Sequence, residues 1–161
     1  MCKYIDSNGV IHSTLESGDD LLIKDQWKRE YHFKIATFEL QSGLISEAIE
    51  VKEDNSPGYY FKMGFDFDTD PEIAKEELIK KIKRGINRGH LKKRDSSWSI
   101  GARGILRGRI EYNDVLEDTK YDRVFIIDGK RITMEEFGKM FEEWEGWHFE
   151  FKILDPYDER T

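Results

Sequence analysis

Between Gly58 and Asp68 the chain reads GYYFKMGFDFD, with a large apolar side chain at every second position. Tyr59, Phe61, Met63, Phe65 and Phe67 fall on one side of an extended backbone. Tyr60, Lys62, Gly64, Asp66 and Asp68 fall on the other. A period of two marks a strand with one buried and one wet face. Such a strand needs neighbours to cover it. The two preceding segments supply them. REYHFKIATFEL (29–40) is rich in aromatic and β-branched residues, QSG turns the chain, and LISEAIEVKE (44–53) returns it. DNSPG (54–58) is a second turn, with Pro57 ending the strand. The three segments are expected to form an antiparallel meander. Upstream, Asn8-Gly9 between short apolar runs signals a hairpin, while LLIK (21–24) suits helix or strand.

Two segments have helical spacing instead. In TDPEIAKEELIKKIKRGINRG, Ala74, Leu78, Ile79, Ile82 and Ile86 share one face of a wheel. Thr69 and Glu72 have the spacing of a capping box, Pro71 fits the first turn, and Gly89 is the expected stop. In TMEEFGKMFEEWEG, Thr133 and Glu136 repeat the box, and Met134, Phe137, Met140, Phe141 and Trp144 form the apolar face. SWSI, GILRGRIEY and RVFIIDG read as strands around a polar loop at 113–122. WHFEFKIL is expected as a last strand, with Trp147, Phe149, Phe151 and Ile153 on one face, and residues 156–161 as a frayed tail. The order implies an α+β fold, a mainly antiparallel sheet with two helices packed on one face. With 161 residues and no visible linker, a single domain over 1–161 is expected, its hairpin region 1–28 least constrained.

Composition separates this chain from a disordered one. Charged residues make up 37%, but aromatics reach 13%, more than a chain without a core carries. No apolar run is long enough for a membrane span and the start lacks a signal-peptide pattern, so no membrane association is expected. The single cysteine, Cys2, has no internal disulfide partner, which suits a reducing cytoplasm.

Charge is segregated along the chain. Residues 1–70 carry 7 basic and 14 acidic side chains, residues 71–110 carry 12 and 4, and residues 111–161 carry 7 and 15. The basic centre peaks in KKIKRGINRGHLKKR, residues 80–94, with eight Lys or Arg in fifteen positions. Glu76 precedes Lys80 by four and Glu77 precedes Lys81 by four, the favourable helical ion-pair order. Cations near a helix C-terminus also complement its dipole. Those structural roles do not extend past Gly89, where His90, Lys92, Lys93 and Arg94 make a basic knuckle in a loop, followed by Arg103, Arg107 and Arg109. Lys83, Arg84, Arg88, Lys92, Lys93, Arg94, Arg107 and Arg109 are therefore the candidate polyanion-binding residues. A net charge of −7 opposes long-range steering toward nucleic acid, and closure of these cations onto acidic parts of the fold competes with binding.

Other patterns carry less chemistry. Asp66, Asp68 and Asp70 alternate as oxygen ligands could, and Glu77 is twelfth from Asp66. The sixth place, however, is Pro71 where a calcium loop needs glycine. His12, His32, His90 and His148 lack metal-ligand spacing, and no glycine-rich phosphate loop opens a helix. No catalytic, metal or cofactor-binding residue is assigned, and no cofactor is expected.

RGRIEY and IDGKRITMEEFGKMFEEWEGWHFEFKI, with GYYFKMGFDFDTDPEIAKEELIKKIKRGINRGHL upstream, resemble a family of small uncharacterised bacterial proteins. The shared elements are a Lys/Arg-rich helix, an Arg-Gly-Arg strand, an Ile-Asp-Gly turn and a helix ending in an aromatic-Glu-Gly-aromatic motif. The resemblance covers residues 58–155 and implies a bacterial cytosolic setting without an activity. The residues point to a non-enzymatic protein-interaction or self-associating module with a protein or homo-oligomeric partner. The alternative is a nucleic-acid-binding domain using residues 80–109.

Overall fold

The computed structural model describes residues 3–5, 11–113 and 121–158, with side chains described from Ser13 onward within those ranges. The Asn8-Gly9 turn and most of the polar loop at 113–122 lie outside the described residues. The chain divides into two compact units. The first comprises Met1–Asn55, Tyr60–Asn87 and Ile153–Thr161; the second comprises Ser56–Tyr59 and Arg88–Lys152.

The first unit opens with β1 (Lys3–Ile5) paired to β2 (Ile11–Ser13), then one helical turn, α1 (Thr14–Ser17). β3 (Asp19–Lys24), β4 (Glu30–Leu40), β5 (Gly43–Glu50) and β6 (Tyr60–Phe65) follow as a sheet in sequence order, every pair antiparallel. The expected meander is present, and the ambiguous LLIK belongs to a strand. Cross-strand register puts Ile35, Ala48 and Phe61 in a row, with Ser46 beside Met63. All five side chains are buried. Phe33 joins the same face and packs its ring 5.9 Å from that of Phe61. α2 (Pro71–Ile86) covers this face with Ala74, Leu78, Ile82 and Ile86.

The ends of α2 differ from the sequence reading. Asp70, not Thr69, caps it, accepting from the Glu72 amide at 2.9 Å, and the helix closes at Asn87. Lys81, expected on the wet face, is buried at the sheet-facing edge. Its ammonium donates to the carbonyls of Lys62, Pro156 and Asp158 at 2.9, 3.2 and 2.7 Å. Residues 156–158 are therefore tied to the helix, where a frayed tail was expected. Gly85 lets the helix approach: a Cβ there would stand 2.4 Å from the Phe61 ring.

The second unit contains β7 (Leu91–Arg94) paired to β8 (Ser97–Ile100), and a three-stranded sheet of β9 (Gly108–Tyr112), β10 (Arg123–Ile127) and β11 (Lys130–Ile132) with β10 central. β7 corrects the reading of Lys92–Arg94 as a loop. α3 (Met134–Lys139) starts at Thr133, whose hydroxyl accepts from the Glu136 amide as the box predicts, and a 3-10 turn follows at Glu142–Trp144. α3 lies on β10, and the core here is Ile127, Ile132 and Met140, flanked by Trp98, Ile100 and Phe137. Phe141, expected inside, is 45% exposed.

The antiparallel α+β class is thus present, but as four separate small sheets among the described residues, where one continuous sheet was expected. α2 and α3 each cover a sheet of their own unit. The expected last strand is absent: residues 147–154 pair in no ladder with any strand among the described residues. No helix among the described residues is long and apolar enough to cross a membrane.

Candidate functional site

The basic residues singled out from the sequence fall in different settings. Lys83 and Arg84 lie on the exposed side of α2 in the first unit. Lys80 beside them bonds Glu77 at 2.6 Å, one turn back, which holds the ammonium above its ordinary pKa. Arg88, Lys92, Lys93, Arg94, Arg107 and Arg109 belong to the second unit. Arg88 is half-buried after the helix, and Arg107 is exposed just ahead of β9. Arg109 turns inward on β9, bonding Glu111 at 2.6 Å and the Gly58 carbonyl at 2.6 Å.

The β7–β8 hairpin brings three of these cations together. Lys92, Lys93 and Arg94 are consecutive and exposed, and the strand alternation sends Lys92 and Arg94 to one side and Lys93 to the other. Lys93 lies opposite Trp98, 6.0 Å from its ring centre, and Lys130 approaches the same ring at 4.9 Å. Arg94 is matched by Glu143 at 2.8 Å. Lys92, Arg94, Ser99, Ile100 and Trp144 line a shallow cavity of about 350 Å³. The Trp144 indole N–H is buried without a partner among the described residues. Being buried, it does not offer itself to a ligand in that cavity. Glu143 lines the same cavity, so its rim carries both charges, with Arg94 already paired to that carboxylate.

Behind the hairpin, one carboxylate organises the start of the unit. Asp128 and Gly129 both have positive φ, as a two-residue type I′ turn between β10 and β11 requires. The Asp128 carboxylate accepts from the backbone amides of His90 and Leu91 at 2.8 and 2.7 Å, and the His90 Nδ1 lies 3.0 Å away. Burial pushes its pKa up, but the three hydrogen bonds outweigh that and hold it below the ordinary carboxylate value. The carboxylate thereby staples the start of β7 to the β10–β11 turn. The 38-residue separation from His90 left no sequence signal.

The acidic run is spent locally. β6 ends at Phe65, Asp66 closes a turn onto the Thr69 amide, Asp70 caps α2, and Glu77 pairs with Lys80. No group of three metal-ligating side chains gathers among the described residues. His32 bonds Asp20 at 2.6 Å, and His148 is exposed. Cys2 and the His12 side chain lie outside the described residues.

A run of exposed apolar side chains follows the 3-10 turn. Trp147, Phe149, Phe151 and Ile153 are 71%, 91%, 64% and 75% exposed. Glu150 and Lys152 between them bond each other at 3.1 Å. At roughly 150–250 Å² per aromatic side chain, this stripe reaches the size of the largest apolar patches on monomers, about 300–600 Å². Among the described residues only Trp147 has a ring neighbour along it, with Trp144 edge-on at 5.3 Å.

Residues 90–158 match the model of a family described as a domain of unknown function (DUF7713). Residues 16–87 match a second, also described as a domain of unknown function (DUF7686). The resemblance to uncharacterised proteins is thereby shown, and the second match extends it into the N-terminal third that the sequence pattern left out. The two matches meet where the chain leaves the first unit, at Asn87. No curated protein and no solved structure matches the chain.

Proposed function

We propose that this protein acts by association with protein and not by catalysis, and that the contact surface is the aromatic run of Trp147, Phe149 and Phe151. The exposure of those three side chains carries the reading. Water-facing aromatics with no cover cost free energy that burial against a partner recovers, at roughly 25 cal/mol per Å². The single cysteine and the resemblance to small bacterial proteins support a cytoplasmic setting in a bacterium. Phe149→Asp tests the role. The side chain has almost no contacts to lose, so the denaturation midpoint is expected to stay close to wild type while association is lost. A large fall in the midpoint would mean that Phe149 serves the fold.

A second reading, nucleic-acid binding, is supported by the β7–β8 hairpin, where three consecutive cations flank the partly exposed Trp98. Binding there would be led by phosphate contacts, steeply salt-sensitive and weakly sequence-dependent. Titration of wild type and of the triple variant Lys92→Ala, Lys93→Ala, Arg94→Ala with short DNA and RNA at low salt decides it. Salt-sensitive binding lost in the variant supports this reading. Absence of wild-type binding at high micromolar concentration retires it.

A further inference from the structure

We propose that the tip of the β3–β4 hairpin is a binding site for single-stranded nucleic acid, with a base stacked on Trp27 and phosphates held by Lys28 and Lys83. This surface lies wholly in the first unit and rests on neither reading above.

Residues 25–29 join β3 to β4, and Trp27 near the tip is 53% exposed. The Arg29 guanidinium lies over its ring, 5.0 Å from the centre. With one face under that cation, the ring turns its other face to solvent, where a base can stack. The loop is built to hold this pair. Asp25 is buried, and one of its carboxylate oxygens accepts from the Trp27 and Arg29 amides, both at 2.9 Å. The other accepts from the Arg29 Nε at 2.7 Å and the Tyr31 hydroxyl at 3.2 Å. One carboxylate thus fixes the tryptophan's backbone and the cation stacked on its ring, and a platform ordered in advance loses little freedom on binding.

Two cations flank it. Lys28 stands at a φ of 66°, a conformation that glycine or asparagine takes with less strain, so the turn by itself gives no reason for a lysine. Gln26 ties the tip to the end of α2: its amide donates to the Asn87 Oδ1 at 2.6 Å, and its Nε2 to the Asn87 carbonyl at 3.1 Å. Lys83 precedes Asn87 by four and so shares its side of the helix. Lys28 and Lys83 are both exposed, and neither has a carboxylate partner among the described residues. A half-covered ring between two such cations matches a ligand that offers phosphate and an open base together. An acidic peptide brings the charge without the base, and a duplex keeps its bases stacked inside. The net charge of −7 opposes long-range attraction, so the affinity is set by these contacts at short range.

The test titrates the full chain at low salt with short labelled oligo(dT), the matching duplex and polyglutamate, read by fluorescence anisotropy. Oligo(dT) is expected to bind best, with an affinity that falls as salt rises. Trp27→Ala is expected to weaken it roughly 5- to 150-fold, the worth of one base stack, and Trp27→Phe to restore part of the loss. Lys28→Gly separates binding from folding. It relieves the positive φ, so the melting temperature is expected to hold or rise while affinity falls several-fold. Oligo(dT) that does not bind at high micromolar concentration overturns the proposal. So does binding that Trp27→Ala or Lys28→Gly leaves intact, or polyglutamate or duplex that binds as tightly as oligo(dT). Binding lost in the Lys92→Ala, Lys93→Ala, Arg94→Ala variant and kept in Trp27→Ala also overturns it, and assigns nucleic acid to the β7–β8 hairpin.

Discussion

Asp128 shows how one side chain can hold several strands at once. It supplies the left-handed residue of the β10–β11 turn and receives both amides that open β7. Asparagine tolerates the same backbone region and keeps one acceptor oxygen, whereas alanine does neither. Asp128→Ala is therefore expected to cost about 1–3 kcal/mol, the usual penalty for stranding buried donors, and Asp128→Asn less. Urea midpoints rank the two. The folded-state pKa is depressed, so this carboxylate's contribution is present above the ordinary carboxylate pKa and lost as pH falls through the lower folded value. Acid unfolding of Asp128→Asn is expected to show a shallower dependence in that window.

Lys81 has the opposite sign. Burial lowers its pKa to about 8 from an ordinary 10.5, against the pull of the Asp158 and Asp155 carboxylates. Between those values the unfolded chain holds more protons, so this residue's contribution to stability increases as pH rises from about 8 toward 10.5. Lys81→Met keeps the length of the stem and removes the titration. Its stability relative to wild type is expected to fall across that window, and denaturant midpoints at neutral pH and near pH 10 check it. The sequence did not disclose this residue. Glu77 four positions earlier offered a surface partner, and only the carbonyls of 62, 156 and 158 explain why the ammonium is inside.

At the scale of elements, pattern was legible where one element buries one face. β6 and α2 follow their periods because each packs against the other's unit-one neighbours. β7 was not legible: Leu-Lys-Lys-Arg has one apolar residue in four, and its strand is set by pairing with Ser97–Ile100. Residues 147–153 show the converse. Their alternation is as regular as that of β6, yet alternation records a capacity to pair, and no strand among the described residues pairs with them. The hairpin cations were legible as a cluster in sequence, but the neutralisation of Arg94 by Glu143, 49 residues away, depends on tertiary approach. Helix close approach gives a test. Gly85→Ala would gain roughly 1 kcal/mol of helix propensity, but its Cβ would stand 2.4 Å from the Phe61 ring. Overpacking typically costs about 1–3 kcal/mol, so net destabilisation is expected, with partial recovery when Phe61→Leu makes room. On α3, the half-exposed Phe141 is expected to lose less on truncation to alanine than buried Met140, whose loss falls in the range of about 2–5 kcal/mol. Thermal melts of the two variants compare them directly.

At the scale of the whole molecule, the units interleave in sequence: residues 56–59 count with the second and residues 153–161 with the first. No single cut of the chain separates them. One cooperative transition is therefore expected, with calorimetric and van't Hoff enthalpies equal. Two resolved transitions would show that the units melt independently.

The position of the carbonyls that hold Lys81 has a consequence for synthesis. Two of them lie 75 and 77 residues downstream. At about 5–20 residues per second, a ribosome adds them roughly 4–15 seconds after the lysine. During that interval α2 can lie on its meander, but the ammonium has only the Lys62 carbonyl and water to satisfy it. The first unit begins folding first and is completed last, after every residue of the second has been made.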